Sequence, residues 1–328
     1  MRALTDRFGR VHDYLRISLT DKCNLRCHYC MPENAVFRPH EELLSKDELL
    51  QIATTFVNEF GVKKIRLTGG EPLVRKDAAE IIEALGKLPV ELALTTNGIL
   101  LKSFFPLLKK VGLRSLNISL DSLVPWKNQL ITKRHFFDTV KKNIETAVSE
   151  GFSTRVNMVV IRGVNEDEIL DFVNWTKDFP LHIRFIEFMP FDGNNWNWEK
   201  VISFRKILEI IESAYPVEKL HDKPNSTAKS YRANGFKGTF AVISTITCPF
   251  CDSCNRIRLT ADGRLKNCLF AQKEADLITP LRNGMDVKSV IENCIAEKEA
   301  ERGGLAEFDS ANARVEYEGG RCMTAIGG

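Results

Sequence analysis

Two alternating patterns of apolar and polar positions recur through the first two-thirds of the chain. Short apolar or β-branched runs predict six strands, at residues 14–19, 64–67, 91–95, 115–120, 155–161 and 182–188. Between them, apolar positions spaced along one helical face predict helices at residues 46–60, 78–88, 104–111, 137–148 and 166–177. Parallel strands need crossover helices of this length, and such crossovers are right-handed. We therefore expect an α/β fold whose strands curl into an open or closed barrel.

Polar and glycine-rich segments follow the predicted strands and do not precede them. A cysteine-containing segment follows the first strand, Thr68-Gly-Gly-Glu-Pro72 the second, Thr96-Asn-Gly98 the third, Asp121 the fourth and Glu187-Phe-Met-Pro190 the sixth. In parallel barrels the active site lies at the carboxyl ends of the strands. The paired glycines would let the backbone approach a ligand closely, although a tight turn alone also explains them. The sequence thus predicts a site at this end of the barrel.

Three cysteines, Cys23, Cys27 and Cys30, form a C-x3-C-x2-C pattern within residues 21–32. A [4Fe-4S] cluster held by cysteine normally takes four thiolates, so three would leave one iron open to a ligand that is not protein. A zinc knuckle is the alternative, but its fourth ligand would have to be His28, which lies between two of the cysteines. The pattern, with Tyr29 directly before the last cysteine, resembles the signature of radical S-adenosylmethionine (SAM) enzymes. In that superfamily the methionine moiety of SAM chelates the open iron.

Length and composition are those of an intracellular enzyme. At 328 residues with 44% hydrophobic content, the chain is long enough for two domains. The strand-then-helix rhythm breaks near residue 215, so we expect domains at residues 1–215 and 216–328. A net charge of only +3 argues against a nucleic-acid partner. Nine cysteines, an odd number at metal-ligand spacings, argue against a disulfide framework and indicate a reducing compartment.

Targeting signals are not evident in the sequence. No apolar run approaches the roughly 20 residues of a membrane span, and the first ten residues lack the apolar stretch of a secretory signal. We therefore expect a cytoplasmic protein with no membrane partner. The mitochondrial matrix is the alternative if a presequence has been removed.

A second cysteine group lies at Cys248, Cys251, Cys254 and Cys268. The spacing allows two three-cysteine ligand sets, C-x2-C-x2-C with Cys248 or C-x2-C-x13-C with Cys268. A zinc ribbon that uses all four sulfurs is a further alternative. Asp262-Gly263 is typical of a hairpin turn and would return the chain towards the metal.

The motifs taken together resemble those of the GTP 3',8-cyclase family, and the resemblance runs from about Phe8 to the last residue. Besides the two cysteine groups, the chain carries the motifs Gly-Gly-Glu-Pro, Thr-Thr-Asn-Gly, Asn-Ile-Ser-Leu-Asp, Arg-Phe-Ile-Glu-Phe-Met-Pro, Arg-x-Arg-Leu-x-x-Asp-Gly and a terminal Gly327-Gly328. The resemblance implies a partial (βα)6 radical SAM barrel followed by a C-terminal α+β domain with a second [4Fe-4S] cluster. It assigns that cluster to Cys251, Cys254 and Cys268 and makes Cys248 an addition of this sequence.

The resemblance also implies contacts to SAM and to the substrate GTP. SAM contacts fall on Tyr29, Gly70, Ser119 and Met189. GTP contacts fall on residues of several strands, namely Arg16, Arg66, Thr95, Arg155, Arg256, Ile257 and Arg258. Guanidinium groups suit this role because they meet phosphate oxygens bidentately. In the absence of the motif context, each arginine would be interpreted as a solvated surface charge.

The chemistry implied by the family is the first step of molybdenum cofactor biosynthesis. A radical from SAM removes the 3' hydrogen of GTP, and the ribose carbon attacks C8 to give (8S)-3',8-cyclo-7,8-dihydroguanosine 5'-triphosphate. The implied partners are GTP, a reductant such as flavodoxin or ferredoxin, and a downstream cyclic pyranopterin monophosphate synthase. A homodimer is left open.

Two departures from the family pattern affect details. Arg155 stands where the family usually has lysine, which keeps the charge but replaces a point charge with a planar fork. Residues 297–320 lack the basic segment with His-Gly-Met that many members carry. Two alternatives remain at this stage, a radical SAM peptide maturase and a non-catalytic iron-sulfur or zinc interaction protein.

Overall fold

The computed structural model describes residues 2–32, 34–305 and 320–327. The strands among them are β1 (Tyr14–Ser18), β2 (Lys64–Thr68), β3 (Glu91–Thr96), β4 (Ser115–Ser119), β5 (Ser153–Val160), β6 (His182–Glu187), β7 (Val217–Lys219), β8 (Ala228–Ala233), β9 (Thr239–Ile243), β10 (Arg256–Leu259), β11 (Arg264–Lys266) and β12 (Ala275–Asp276). The α-helices are α1 (Lys46–Asn58), α2 (Ala78–Leu85), α3 (Leu101–Lys110), α4 (Pro125–Thr132), α5 (Phe137–Ser149), α6 (Ile169–Trp175), α7 (Phe204–Glu212), α8 (Ile278–Arg282), α9 (Lys288–Ala296) and α10 (Met323–Ile326).

These twelve strands form one sheet in the order β12-β11-β10-β1-β2-β3-β4-β5-β6-β9-β8-β7. Neighbours from β10 through β9 in that order are parallel, and both ends of the sheet are antiparallel. The six predicted strands are confirmed as β1 to β6, with bounds that differ by a few residues. The five predicted helices are confirmed as α1, α2, α3, α5 and α6, the last of which begins later than predicted at Ile169.

Helix α4 is not among the predicted elements. Its buried positions are Lys127, Asn128, Ile131 and Thr132, so only one of them is apolar. A helix with a polar buried face gives no amphipathic signal in the sequence, because that signal depends on apolar residues recurring along one face. Apolar periodicity, which predicted the other helices, therefore could not predict α4.

The two faces of the parallel sheet carry different residues because side chains alternate along a strand. On one face, apolar side chains such as Leu15 and Ile17 of β1 and Ile65 and Leu67 of β2 are fully buried in the main hydrophobic core. On the other face lie polar residues; Arg16 of β1 pairs in register with Arg66 of β2 on one side and with Arg258 of β10 on the other. The sheet thus separates an apolar core from a polar interior.

Helix α1 shows how the apolar face is covered. It begins at a capping box in which the Ser45 side chain accepts from the Glu48 amide and Glu48 accepts from the Ser45 amide. Its apolar side, with Ile52 and Phe56, is buried in the same core as the strands. The local sequence therefore fixes both the start and the orientation of the helix.

Strands beyond the predicted boundary at residues 215 and 216 join both edges of the six-stranded unit. Strand β10 pairs with β1, and β9 pairs with β6. A smaller core beside them contains Phe191, Ile246, Phe270 and Ile326. No helix in the described ranges is long and apolar enough to cross a membrane.

Candidate active site

A cavity of about 510 Å³ lies on the polar face of the sheet and extends between the two cysteine groups. This volume is in the usual range for small-molecule sites. Its lining includes every site residue predicted from the sequence except Ile257, namely Tyr29, Gly70, Ser119, Met189, Arg16, Arg66, Thr95, Arg155, Arg256, Arg258, Cys23, Cys27, Cys30, Cys251, Cys254 and Cys268. Ile257 is fully buried in the main hydrophobic core, on the face of β10 opposite its neighbours. Its side chain is therefore directed away from the cavity.

The first cysteine group follows β1 and is held by backbone hydrogen bonds. The amide of Gly70 donates to Thr20 O at 2.7 Å, and that of Glu71 donates to Lys22 O at 2.8 Å. Burial raises the pKa of Cys23 to about 11 and raises the pKa of Cys27 as well, with the neighbouring thiols adding to the effect at Cys27. The protein alone thus disfavours thiolates here, whereas a bound metal deprotonates a coordinating thiol outright. The donor set fits an iron-sulfur cluster, whose charge would supply what the protein does not.

Gly70 forms part of a cradle beside these cysteines. A Cβ atom at this position would lie 2.5 Å from the carbonyl oxygens of both Asp21 and Lys22. Only glycine lets the two loops approach this closely. The cradle fits the role that the family resemblance assigns to Gly70.

Glu71, the glutamate of the Gly-Gly-Glu-Pro motif, is 1% exposed and is not part of the cavity lining. Its carboxylate accepts from the Thr96 hydroxyl at 2.7 Å and from the Asn97 amide at 2.6 Å. Burial raises the pKa of Glu71 to about 7, although these hydrogen bonds favour the ionised carboxylate and act in the opposite direction. In this structure Glu71 ties the loop after β2 to the end of β3.

Tyr29 is fixed by the end of β4. Its hydroxyl donates to Asp121 Oδ2 at 2.6 Å, and Asp121 Oδ1 accepts from the Val159 amide at 2.9 Å. Burial raises the pKa of Asp121 to about 6. These contacts join the cysteine loop to β4 and β5 at the carboxyl ends of the strands, where the sequence predicted the site.

Arginines from several strands line the side of the cavity that the sheet forms. Arg66 donates from Nε to Tyr14 Oη at 2.6 Å and from Nη1 to Leu94 O at 2.9 Å. Arg155 donates to Ser115 Oγ at 2.9 Å. Burial, reinforced by the neighbouring arginines, lowers the pKa of Arg16 well below its usual value. Arg66 and Arg258 are buried, and Arg16, Arg155 and Arg256 are half-buried. Cations removed from water to this extent are costly unless an anion joins them, so this face suits an anionic ligand.

Arg184 also lies in this face, and sequence reasoning did not select it. Its pKa is lowered well below its usual value by burial and by Arg155 and Arg66. Its Nε, Asn117 Oδ1 and Asn157 Oδ1 are buried in the cavity wall without a hydrogen-bond partner in the described structure. Buried polar atoms are normally paired, so these atoms are free to meet a ligand. The alternation of sides along β4, β5 and β6 would have identified them, because Asn117 pairs in register with Arg155, and Asn157 with Arg184.

The second cysteine group lines the same cavity as the first. Cys251, Cys254 and Cys268 are close enough that the other two thiols raise the pKa of Cys251, after burial. Burial raises the pKa of Cys254, but the positive charges of Lys298 and Arg256 outweigh this effect, so the pKa is lowered from its usual value. Cys248 is not part of the cavity lining. The three cysteines that the resemblance selected thus face one space, and the cations beside Cys254 suit a thiolate ligand.

The C-terminal tail reaches the cavity wall. Arg258 donates from Nη1 to Gly327 O at 2.6 Å, and Met323 contributes to the lining. A Cβ at Gly327 would lie 2.9 Å from Thr68 Cγ2. Gly328 and most of the atypical segment, residues 306–319, lie outside the described residues.

Comparison with known families assigns both parts of the chain. The Radical SAM superfamily profile matches residues 17–176, and the Molybdenum Cofactor Synthesis C profile matches residues 181–303. The crystal structure of Streptococcus suis SuiB bound to S-adenosylmethionine is similar, with a TM-score of 0.63 over 96% of this chain and 72% of that chain, at 15% identity. Fold and cysteine loop thus define a radical SAM enzyme, and that class implies a [4Fe-4S] cluster and SAM.

Curated relatives narrow the family. "GTP 3',8-cyclase, mitochondrial" of Arabidopsis thaliana is 46% identical over 97% of this chain and 83% of its own length. "GTP 3',8-cyclase" of Listeria monocytogenes is 43% identical over 91% of each chain. The chain therefore belongs to the GTP 3',8-cyclase family. It spans about half of "Molybdenum cofactor biosynthesis protein 1" of Bos taurus, at 47% identity over 95% of this chain and 50% of that protein.

Proposed function

We propose that this chain converts GTP into (8S)-3',8-cyclo-7,8-dihydroguanosine 5'-triphosphate, the first step of molybdenum cofactor biosynthesis. One observation carries the proposal: a single cavity joins a three-cysteine loop, a face of buried and half-buried arginines and a second group of three cysteines. Radical chemistry needs the first and a triphosphate needs the second, and the cavity volume of about 510 Å³ is in the range of small-molecule sites. The family relationship points to the same reaction.

The residues that would hold the cofactors fall into two groups. Cys23, Cys27 and Cys30 would bind the first cluster, and SAM would contact Tyr29, Gly70, Ser119 and Met189. Cys251, Cys254 and Cys268 would bind the second. When bound, the first cluster and SAM supply an organic radical that removes a hydrogen atom from the substrate.

The arginine face would bind GTP. Arg16, Arg66, Arg155, Arg256 and Arg258 would neutralise the triphosphate, and Thr95 lies beside Arg66 with its hydroxyl 3.5 Å from Nη1. For Ile257 the proposal is limited to its main chain, because its side chain is in the core. We add Arg184 because its Nε is buried without a partner in the same face.

The chain's own contribution is to orient the reactants and exclude water. The hydrogen bonds of Tyr29 to Asp121 and of Arg66 to Tyr14 fix both sides of the cavity before any ligand binds. Groups held in this way need little reorganisation as the reaction proceeds. A cavity lined by the sheet and the two cysteine loops would also limit the access of other hydrogen donors to the radical.

Further parts of the proposal concern organisation and partners. We keep the division into residues 1–215 and 216–328, a reductant such as flavodoxin or ferredoxin, and a downstream cyclic pyranopterin monophosphate synthase. A reducing compartment, cytoplasm or mitochondrial matrix, is supported by nine free cysteines and by similarity to a mitochondrial plant relative.

Anaerobic reconstitution followed by incubation with GTP, SAM and dithionite tests the proposal. We expect about eight irons per chain, two clusters of four, and a GTP-dependent pterin fluorescence after derivatisation of the product. Cys27→Ser should abolish 5'-deoxyadenosine formation, because it removes a thiolate from a cluster with no spare ligand. SAM cleavage without any product from GTP would contradict the assigned substrate, and full SAM cleavage by the variant would contradict the assigned cluster.

A further inference from the structure

A lysine outside the cavity lies almost completely buried beside the second cysteine group. Lys298 is 2% exposed and follows helix α9. Its Nζ lies 3.1 Å from Arg256 O, 3.5 Å from His12 Nδ1 and 3.8 Å from Cys254 Sγ. An ammonium group carries three donors and no acceptor. Three acceptors therefore surround it, provided that His12 Nδ1 accepts.

Asp6 determines which nitrogen of His12 accepts. His12 Nε2 lies 3.0 Å from Asp6 Oδ2, and both side chains are fully buried. A carboxylate only accepts, so Nε2 carries the hydrogen and Nδ1 presents its lone pair to Lys298. Asp6 is fixed in turn, because Arg10 donates to it from Nε at 2.6 Å and from its amide at 3.0 Å. The network therefore runs in one direction, from Arg10 through Asp6 and His12 to Lys298.

The network places the lysine charge at the sulfur of Cys254. Within the described part of the chain, no carboxylate forms an ion pair with Lys298, whereas buried charges are normally paired. Histidine and a carbonyl oxygen are neutral partners. The sulfur of Cys254 is the contact that can carry a compensating negative charge, as a thiolate or as the ligand of a metal cluster.

We propose that Lys298, positioned by Asp6 and His12, raises the reduction potential of the cluster bound through Cys254. The inference rests on the proposed second cluster. A fixed cation beside a ligand sulfur favours the reduced cluster, which carries one more negative charge, and hydrogen bonds to ligand sulfurs act in the same direction. Lys298 is thus a positioning residue that acts through Cys254 and does not touch the substrate.

The test isolates the second cluster. In a chain with Cys23→Ser, Cys27→Ser and Cys30→Ser, only the second cluster should remain after reconstitution, and its midpoint potential is measured by redox titration with electron paramagnetic resonance. We expect Lys298→Met to shift this potential to a more negative value and Lys298→Arg to restore most of it. Lys288→Met is the matched control, because Lys288 lies on helix α9 with an exposed side chain.

Each outcome decides a different point. An unchanged potential in Lys298→Met overturns the inference and leaves the proposed function standing. If Lys298→Met does not retain the cluster, His12→Phe decides: a more negative potential supports the inference, and an unchanged one overturns it. If the chain with intact Lys298 holds no iron after reconstitution, the second cluster itself is wrong, and this inference fails with it.

Discussion

Individual arginines carry much of the argument for a nucleotide substrate. Arg256 and Arg258 leave the same face of β10, and Arg258 is buried beside the C-terminal tail. Burial lowers the pKa of Arg258 to about 10, while the thiols of Cys268 and Cys254 oppose that effect. Both arginines line the cavity together with the second cysteine group, where a phosphate would join them.

Replacing these arginines should weaken GTP binding more than SAM cleavage. Losing one charge-assisted phosphate contact costs about 1.5 to 3 kcal/mol, or about ten- to a hundred-fold in affinity. We expect Arg256→Ala and Arg258→Ala to raise the Kd for GTP by this factor in equilibrium dialysis. Arg232→Ala, on an exposed position of β8, is the control. Equal GTP affinity in all four proteins would place the substrate elsewhere.

Cys248 and Cys268 separate the two ligand sets that the spacing allowed. Cys268 lines the cavity with Cys251 and Cys254, whereas Cys248 does not. We expect Cys248→Ser to keep the full iron content and cyclase activity, and Cys268→Ser to lose about four irons per chain. Iron loss in the first variant with retention in the second would establish the compact C-x2-C-x2-C set instead.

His182 gives the folded chain a predictable dependence on pH. Burial, together with Arg184 and Arg155, lowers its pKa to about 3 from the ordinary 6.5. Between these values the unfolded chain binds a proton that the folded chain does not, so stability is highest above pH 6.5 and falls as the pH drops towards 3. The slope from this group is at most about 1.4 kcal/mol per pH unit.

His182→Gln should remove this loss. Relative to the parent, we expect the variant's free energy of urea unfolding to improve by up to about 2 kcal/mol on going from pH 7 to pH 5. The same replacement at His221, an exposed position, serves as the control. A parent-to-variant difference that stays constant over this range would show that His182 is not responsible.

At the scale of elements, periodicity predicted the strands and helices whose buried faces are apolar. It did not predict α4, whose buried face is mostly polar. The Asp262-Gly263 turn is confirmed, since β10 and β11 pair antiparallel across it and Gly263 has a φ of 72°. Turn chemistry is local and can be identified from the sequence alone, whereas a polar buried face depends on what packs against it.

The close contact between the first cysteine loop and the loop after β2 should be sensitive to a single methyl group. Gly70→Ala would put a Cβ 2.5 Å from two carbonyl oxygens, so the cysteine loop must move. We expect iron to fall from about eight to about four per chain, with SAM cleavage lost.

Gly112→Ala is the matched control for that variant. Gly112 has a φ of 70° and nothing within 4 Å of an added Cβ, so strain lowers stability without disturbing a cluster. Its iron content should match the parent. Full iron content and SAM cleavage in Gly70→Ala would show that the cradle is not part of the SAM site.

At the scale of the whole molecule, the sheet brings together residues that no local pattern relates. Lys298 and His12 are 286 positions apart in the sequence and meet only because β10 lies beside β1. Motif spacing predicted the three cysteines after β1 but left two ligand sets open for the second group, whereas strand order was sufficient to place the loops. Arg184 was missed although alternation along β5 and β6 places it on the polar face. Lys298 was missed because its contacts depend on neighbours that only the folded chain supplies.

The same sheet predicts how the chain responds to truncation. Strands after residue 215 cover both edges of the six-stranded unit, with β10 on β1 and β9 on β6. A chain of residues 1–215 would expose two parallel edges with apolar neighbours, and such edges promote aggregation. We therefore expect it to be largely insoluble, or to elute as aggregates in size-exclusion chromatography. A chain of residues 1–320 keeps every described strand pair and loses α10, the tail contact of Gly327 with Arg258, the ion pairs of Arg321 and the part of Ile326 in the smaller core. Because the sheet edges stay covered, this chain should stay soluble, with a lower GTP affinity. A soluble 1–215 fragment with cooperative thermal unfolding would show that the two edges do not depend on the later strands.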